Sequence, residues 1–402
     1  MEKQKTFYGL PEKVEFCSKC VISNQRPSST VEFKSKADDK KSVIGFVDGV
    51  CDACRFAEMK DQNIDWKERE ERLIELLSKH KRKNGQYDIV VPGSGGKDSA
   101  FTSHLLKYKY GMNPLTVTWA PHLYTDIGWK NFQNWMHVGG LDNILFTPNG
   151  KLHRLLTRYA FLNLLHPFQP FIIGQRIVGP MIAAKFGIDL VFYGENQAEY
   201  GNNIEENKKP TMDPSFFSSS DPNEMMFGGL SMKQILDQHP EFTMNDFAPY
   251  IPPKPNDPSF KNVEVHYLGY YVKWDPQECY YYAVDNTGFE ANPVRTEGSY
   301  SKYSSIDDKI DPFHYYTTLA KFGIGRATYD AAQEVRNGKI TREEAVALVK
   351  KYDLEFPQKF FPEFIEYIGV TEAEFHATID KYRSPHLWEK VGDKWNLKHT
   401  VY

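Results

Sequence analysis

Residues 93–99 read Gly-Ser-Gly-Gly-Lys-Asp-Ser, directly behind the apolar run Ile89-Val90-Val91-Pro92. Gly95 and Gly96 permit positive φ and let the backbone approach an anion closely. If a helix starts there, its first free N–H groups point at the same anion. Ser94 and Ser99 add hydroxyl donors, Lys97 adds positive charge, and Asp98 can hold Mg²⁺ or cap the helix. The stretch is a phosphate cradle, and its spacing narrows the kind. A Walker A loop needs GxxxxGK[ST], with lysine next to the hydroxyl residue; here Asp98 stands between Lys97 and Ser99. A dinucleotide GxGxxG fails for want of its last glycine. The simpler alternative is a Gly/Ser turn that only caps a helix.

Other residues of chemical interest lie far from this loop. Cys17-Ser-Lys-Cys20 and Cys51-Asp-Ala-Cys54 are two CxxC pairs with 30 residues between them. Each pair can turn two thiolates toward one ion, and four suit tetrahedral zinc. Glu195 and Glu199, in the Gly194–Gly201 stretch GENQAEYG, can bind Mg²⁺ or act as a general base; acids enriched at a helix start are the plain reading. Asn131 and Tyr200 are candidates for contact with a sugar or nucleotide. Lys321 and Arg326 can meet a carboxylate or phosphate, against the alternative of surface charge. Tyr280, Tyr281 and Tyr282 read as packing residues. Asp307, Asp308 and Asp311 read as solvated or capping, Cys279 as a buried structural thiol, and the histidines show no ligand spacing.

These groups need elements to position them. Residues 89–92, 115–119, 143–147 and 188–194 read as strands, separated by helical patterns over 98–110, 128–138, 151–165 and 175–186. Alternation of short strands and helices implies a parallel, doubly wound α/β sheet. In such sheets ligands bind beyond the carboxyl ends of the strands. GSGGKDS and GENQAEYG both follow strands at that edge, and so do Val117, Thr118 and Trp119. The expected domains are a zinc-ribbon-like unit over 1–60 and a helical connector over 61–86. A sheet domain over 87–302 follows, with a poorly structured insertion at about 203–262, and then a helical region over 303–402. Thr341-Arg-Glu-Glu344 reads as a capping box.

A chain of 402 residues, 41% hydrophobic and 25% charged, is an ordinary globular composition. The net charge of −4 makes nucleic acid an unexpected partner. The start MEKQKTFYGLPEKVEF lacks an apolar signal segment and no run suggests a membrane span. A cytoplasmic protein without membrane contact is therefore expected, one in which disulfides would not persist.

SGGKDS behind a strand resembles the PP-loop of the ATP pyrophosphatases, the adenine nucleotide alpha-hydrolase-like fold. The resemblance implies that ATP is cleaved between its α- and β-phosphates and a substrate adenylated. It also implies that Val117, Thr118 and Trp119 meet adenine by backbone contacts. Beyond the loop, the paired CxxC, TDIGWKN (125–131), GENQAEYG, TGFEANPVRTEGSYSKYSSIDDKID (287–311) and KFGIGRATYD (321–330) resemble the N-acetyl sugar amidotransferases of surface-polysaccharide and flagellin-glycan biosynthesis. That likeness implies an ATP- and Mg²⁺-dependent enzyme with structural zinc. It implies that an N-acetyl group on a nucleotide-activated or acidic amino sugar becomes acetamidino, with ammonia from a separate glutaminase subunit. The competing readings are a PP-loop tRNA thiolase and a non-catalytic zinc-ribbon scaffold.

Overall fold

Ile89–Pro92 (β1) has all four residues buried, as a strand covered on both faces requires. The computed structural model of the chain describes residues 6–36, 39–82, 84–205 and 208–402. β1 is central in a five-stranded, wholly parallel sheet with Pro114–Trp119 (β2), Asp142–Phe146 (β3), Leu190–Tyr193 (β4) and Glu264–Tyr267 (β5). The spatial order is β3-β2-β1-β4-β5. The chain runs outward from β1 through β2 to β3, then crosses back to β4. The order thus reverses between β1 and β4, the switch point where a crevice opens at the strand ends.

Side chains alternate across the sheet. Val90, Leu115, Val117 and Val191 join one core with Gly150–Leu164 (α5) and Gln169–Lys185 (α6). Ile89, Val91, Leu190 and Phe192 join another with Trp66–His80 (α2) and Lys97–Tyr108 (α3). Residues Leu73 and Leu77 of α2 are buried there, so the expected connector is a cover for the sheet. Asp65 caps it by accepting from Lys67 N and Glu68 N. Asp126–His137 (α4) follows β2, with Thr125 accepting from Gly128 N, and Asp52–Gln62 (α1) follows the second CxxC turn.

Three elements differ from the sequence expectation. The fifth strand, β5, lies in a polar-looking stretch, and pairing with β4 decides it. The 203–262 segment is packed rather than loose. It holds a small hairpin, Met226–Phe227 with Leu230–Ser231, and helix Met232–Gln238 (α7). It also buries Met212, Phe217, Met225, Phe227, Phe247 and Tyr250 against the sheet's core. Dispersed aromatics without periodicity carried that information, and periodicity alone does not report it. After Pro276–Thr287 (α8), Asp311–Phe322 (α9), Arg326–Arg336 (α10), Arg342–Tyr352 (α11), Phe361–Ile368 (α12) and Glu372–Tyr382 (α13), the chain ends in a hairpin, Trp388–Val391 with Lys394–Leu397. That hairpin also breaks the all-helical expectation. The Thr341–Glu344 capping box forms with both arms made.

The N-terminal and C-terminal segments share a core. Leu10, Val21 and Ile22 pack with Leu319, Phe322, Leu387 and Trp388.

Candidate active site at the phosphate loop

Pro92 ends β1, and Gly96 is the N-cap of α3. Gly93 donates its N–H to the Val117 carbonyl at 2.9 Å. Gly95 has φ +82°, and a Cβ there would lie 2.8 Å from Phe132 Cα in α4. Conformation and space both demand glycine. No side chain caps α3, which leaves its first-turn N–H groups and positive dipole end for an anion. Gly93, Ser94, Gly95, Gly96, Lys97, Asp98 and Ser99 all line one cavity of about 670 Å³, ample for a nucleotide-sized ligand.

Charge is concentrated at the loop. Lys97 Nζ lies 2.5 Å from Asp98 Oδ2. Burial opposes the ammonium charge, but Asp98 outweighs it, and the Lys97 pKa is raised. The second oxygen, Asp98 Oδ1, is buried without a hydrogen-bond partner. Glu195 follows β4 in the same cavity and accepts from the Tyr200 hydroxyl at 2.6 Å. Burial, then the neighbouring negative charge of Asp98, pushes the Glu195 pKa up. Asp98, with one oxygen lacking a partner, and Glu195 supply hard oxygen donors to the same cavity, the donor type that suits a divalent cation such as Mg²⁺. Gly194 and Tyr200 also line the cavity, and a Cβ at Gly194 would stand 2.7 Å from Trp274.

Several expected site residues are placed elsewhere. Glu199 does not line the cavity: a 3₁₀ turn over Gln197–Tyr200 sends it into the core, where Lys60 Nζ meets both its oxygens at 2.8 Å. Val117, Thr118 and Trp119 are not among the residues that line the cavity. Thr118 Oγ1 accepts from Asn143 Nδ2 at 3.0 Å, and Trp119 stacks on Phe146. Asn131 borders the cavity, but its amide is used on Glu290: Oδ1 accepts from the Glu290 N–H at 2.8 Å, and Nδ2 donates to the Glu290 carbonyl at 2.9 Å. Arg326 is buried behind the wall, donating to the Ser304 and Ser305 carbonyls and lying 3.8 Å from Asp311. Lys321 does face the cavity. Its Nζ donates to the Leu164 carbonyl at 2.9 Å, and burial followed by the Lys41 charge lowers its pKa to about 7.

The acidic run, expected to be solvated or capping, is not solvated. Asp307, Asp308 and Asp311 line the cavity, joined by Asp330 from α10. Asp308 accepts from His122 N at 2.7 Å and lies 2.8 Å from His122 Nδ1, tying the β2–α4 loop to residues 303–311. Burial pushes the Asp311 pKa up to about 8, against the pull of Arg326. Asp307 stands beside the Ser94 hydroxyl, and burial raises its pKa too. Five cations, Arg26, Lys41, Arg176, Lys321 and Arg336, also line the cavity. These residues come from distant segments, and no sequence spacing connects them. Cys279 and Tyr280–Tyr282 are outside the cavity lining; Tyr280 stacks on Tyr303 at 4.3 Å.

The four expected cysteines do converge. Cys17, Cys20, Cys51 and Cys54 are buried, with all sulfurs within 4.8 Å of one another. Cys17 Sγ and Cys54 Sγ are 3.8 Å apart, and Cys20 Sγ and Cys51 Sγ are 3.7 Å apart. Four thiolates bound tetrahedrally at about 2.3 Å would be separated by roughly 3.8 Å. The N–H groups of Lys19, Cys20 and Cys51 point at Cys17 Sγ at 3.3–3.5 Å, which suits a thiolate. The cluster can hold zinc.

Residues 297–402 match the family model described as LPS biosynthesis protein WbpG-like, C-terminal domain. No curated protein matches the chain. Among solved structures, the NMN synthetase of Francisella tularensis aligns over 32% of this chain at 15% identity and TM-score 0.25. The alignment covers 54% of that synthetase, so the chain spans about half its length. Among the described residues no helix is long and apolar enough to cross a membrane. Asp307, Asp311, Lys321, Arg326 and Asp330, which form or support one wall of the cavity, fall within the matched span. The chain is an α/β protein built on a five-stranded parallel sheet, and over residues 297–402 it is similar to the C-terminal domain of WbpG-like LPS biosynthesis proteins.

Proposed function

We propose that the protein is an ATP-dependent, AMP-forming amidotransferase that turns an N-acetyl group of an amino sugar into an acetamidino group for surface-glycan biosynthesis. The observation that carries this reading is the uncapped SGGKDS loop sharing one cavity with the Glu195 carboxyl and with Arg26, Lys41, Arg176, Lys321 and Arg336. An amide carbon is a poor electrophile because resonance places electron density on its oxygen. Attack by that oxygen on the α-phosphorus of ATP forms a P–O bond and expels pyrophosphate. Ammonia then adds to the activated carbon, and AMP leaves with the C–O bond pair, giving the amidine.

The chain's residues serve charge and position in this scheme. The α3 N-terminus, Ser94, Ser99 and Lys97 receive the departing pyrophosphate. Asp98 and Glu195 would hold Mg²⁺, which supplies charge neutralisation at the phosphates. Glu195, with its raised pKa, is also placed to accept a proton from incoming ammonium. Arg26, Lys41, Arg176 and Lys321 suit the anionic part of a nucleotide-linked or acidic amino sugar. The sequence contains no glutaminase signature, and ammonia from a partner glutaminase completes the proposal. Thiolation of tRNA is disfavoured because Cys279 is 2% exposed, does not line the cavity, and has its thiol pKa pushed well up by burial.

Incubation with ATP, an ammonium salt and N-acetylated sugar nucleotides is expected to release AMP and pyrophosphate. Release of ADP, or transfer of sulfur to tRNA, would overturn the assignment. Gly95→Ala is expected to weaken ATP binding roughly tenfold, because the left-handed backbone costs about 1–2 kcal/mol with a side chain; calorimetric titration checks it.

Lys321 gives a signed pH prediction. Its pKa is depressed in the folded chain to about 7, so between there and the ordinary lysine range the unfolded chain binds more protons. Stability from this residue is therefore present at alkaline pH and is lost as pH falls through about 7. An anionic ligand beside Lys321 restores its charge, and binding at pH 8 is expected to take up protons. Titration calorimetry in buffers of different ionisation enthalpy measures that uptake, which Lys321→Met should abolish.

A further inference from the structure

Lys60 is a lysine with 2% exposure, far from the loop in sequence. All three acceptors around its ammonium are fixed: both oxygens of Glu199 at 2.8 Å and the Trp274 carbonyl at 2.9 Å. Such a group is costly to bury, and its ion pair is weak evidence of stability by itself. Its setting suggests a different role. Lys60 lies on α1, whose N-cap is Cys51 and whose first turn carries Cys54. Lys60 is six positions beyond Cys54, about 9 Å along the helix.

The same cysteine-bearing unit grips residues 195–202 at three further points. Arg26, just past the first CxxC turn, donates to the Tyr200 carbonyl. Ser29 N donates to Asn202 Oδ1 at 2.7 Å, and Asn202 Nδ2 donates to Ser29 Oγ at 2.9 Å. A Cβ on Gly201 would stand 3.2 Å from Ala53 N, so backbone packs on backbone there. At the other end of this segment the Tyr200 hydroxyl donates to Glu195. Lys60 thus holds Glu199, the chain neighbour of Tyr200, whose hydroxyl donates to a carboxylate of the cavity.

We propose that Lys60 is a positioning residue of the ATP site: from the helix of the cysteine cluster it fixes residues 195–202, and with them Tyr200 and Glu195, opposite the phosphate loop. This rests on the reading of Glu195 as part of that site. It gives the cysteine cluster a role in active-site geometry, and it assigns Glu199 to positioning.

The test uses the full chain with Lys60→Met and the double variant Lys60→Met/Glu199→Met. In the single variant, amide exchange across 196–202 is expected to accelerate about tenfold while β1 and β4 stay protected. Bound zinc stays at the wild-type level, and the magnesium concentration for half-maximal AMP formation rises about fivefold or more. The apolar pair in the double variant should restore the melting temperature, since such replacements are often neutral, but not the magnesium dependence. Unchanged exchange across 196–202, acceleration spread evenly over the sheet, or wild-type magnesium dependence in the double variant would each overturn the proposal. If the wild-type chain releases no AMP, the functional reading fails, and exchange at 196–202 still decides the role of Lys60.

Discussion

Asp98→Asn is expected to lower AMP formation on the order of 10²–10³-fold, the usual scale for losing one preorganised electrostatic group in a reacting site. The melting temperature should hardly move. Asparagine keeps the shape of aspartate, and the Asp98 side chain is 35% exposed at the cavity, so little packing changes. Electrostatics change in two places. Lys97 loses the neighbour that outweighs its burial and holds its pKa up. Glu195 keeps its burial but loses the adjacent negative charge that adds to its raised pKa. Its carboxylate then persists to lower pH, and the acid limb of kcat/KM should move toward lower pH. Steady-state rates across pH for the two proteins measure both effects. Undiminished turnover would remove this carboxylate from the mechanism.

The second large effect belongs to the cysteines. The purified chain is expected to carry about one zinc, and Cys17→Ser/Cys54→Ser to carry almost none. Structural zinc contributes directly to folding, because thiolates gather around the ion only in the folded chain. The loss should cost several kcal/mol at neutral pH. The damage is expected to spread, since Val21 and Ile22 beside the first pair share a core with Leu319, Phe322 and Trp388. It should also reach the cavity, whose lining includes Arg26, Ser28, Ser29, Thr30 and Glu32. Metal analysis with calorimetry tests this, together with proteolysis of the 297–402 region. Much less than one zinc per wild-type chain, or an unchanged melting curve in the variant, would overturn it.

Much of the fold was legible because its signals are local. The four strands read from apolar runs all exist, and α3 begins where the loop ends. β5, the packed 203–262 segment and the terminal hairpin were not legible, because pairing and burial against distant partners decide them. In the candidate site, the sequence pointed to the loop and the four cysteines. It gave Asp307, Asp308 and Asp311 only solvated or capping roles, although they line the cavity, and it missed Lys60 altogether.

The sequence by itself determined the chemistry of short stretches. SGGKDS specifies an anion loop through glycine conformations and hydroxyl spacing, and CxxC places two sulfurs on one turn. Alternating strand and helix specified the parallel sheet that carries them. Only the tertiary structure decided which charges face one another. Glu195 and Glu199 are four residues apart, yet one lines the cavity and feels the charge of Asp98 while the other pairs with Lys60 in the core. Lys321 and Arg326 are five residues apart, and only Lys321 reaches the cavity. The physical reason is that a carboxylate or ammonium takes its role from burial and from partners brought together by the fold. Residue type and local spacing carry neither.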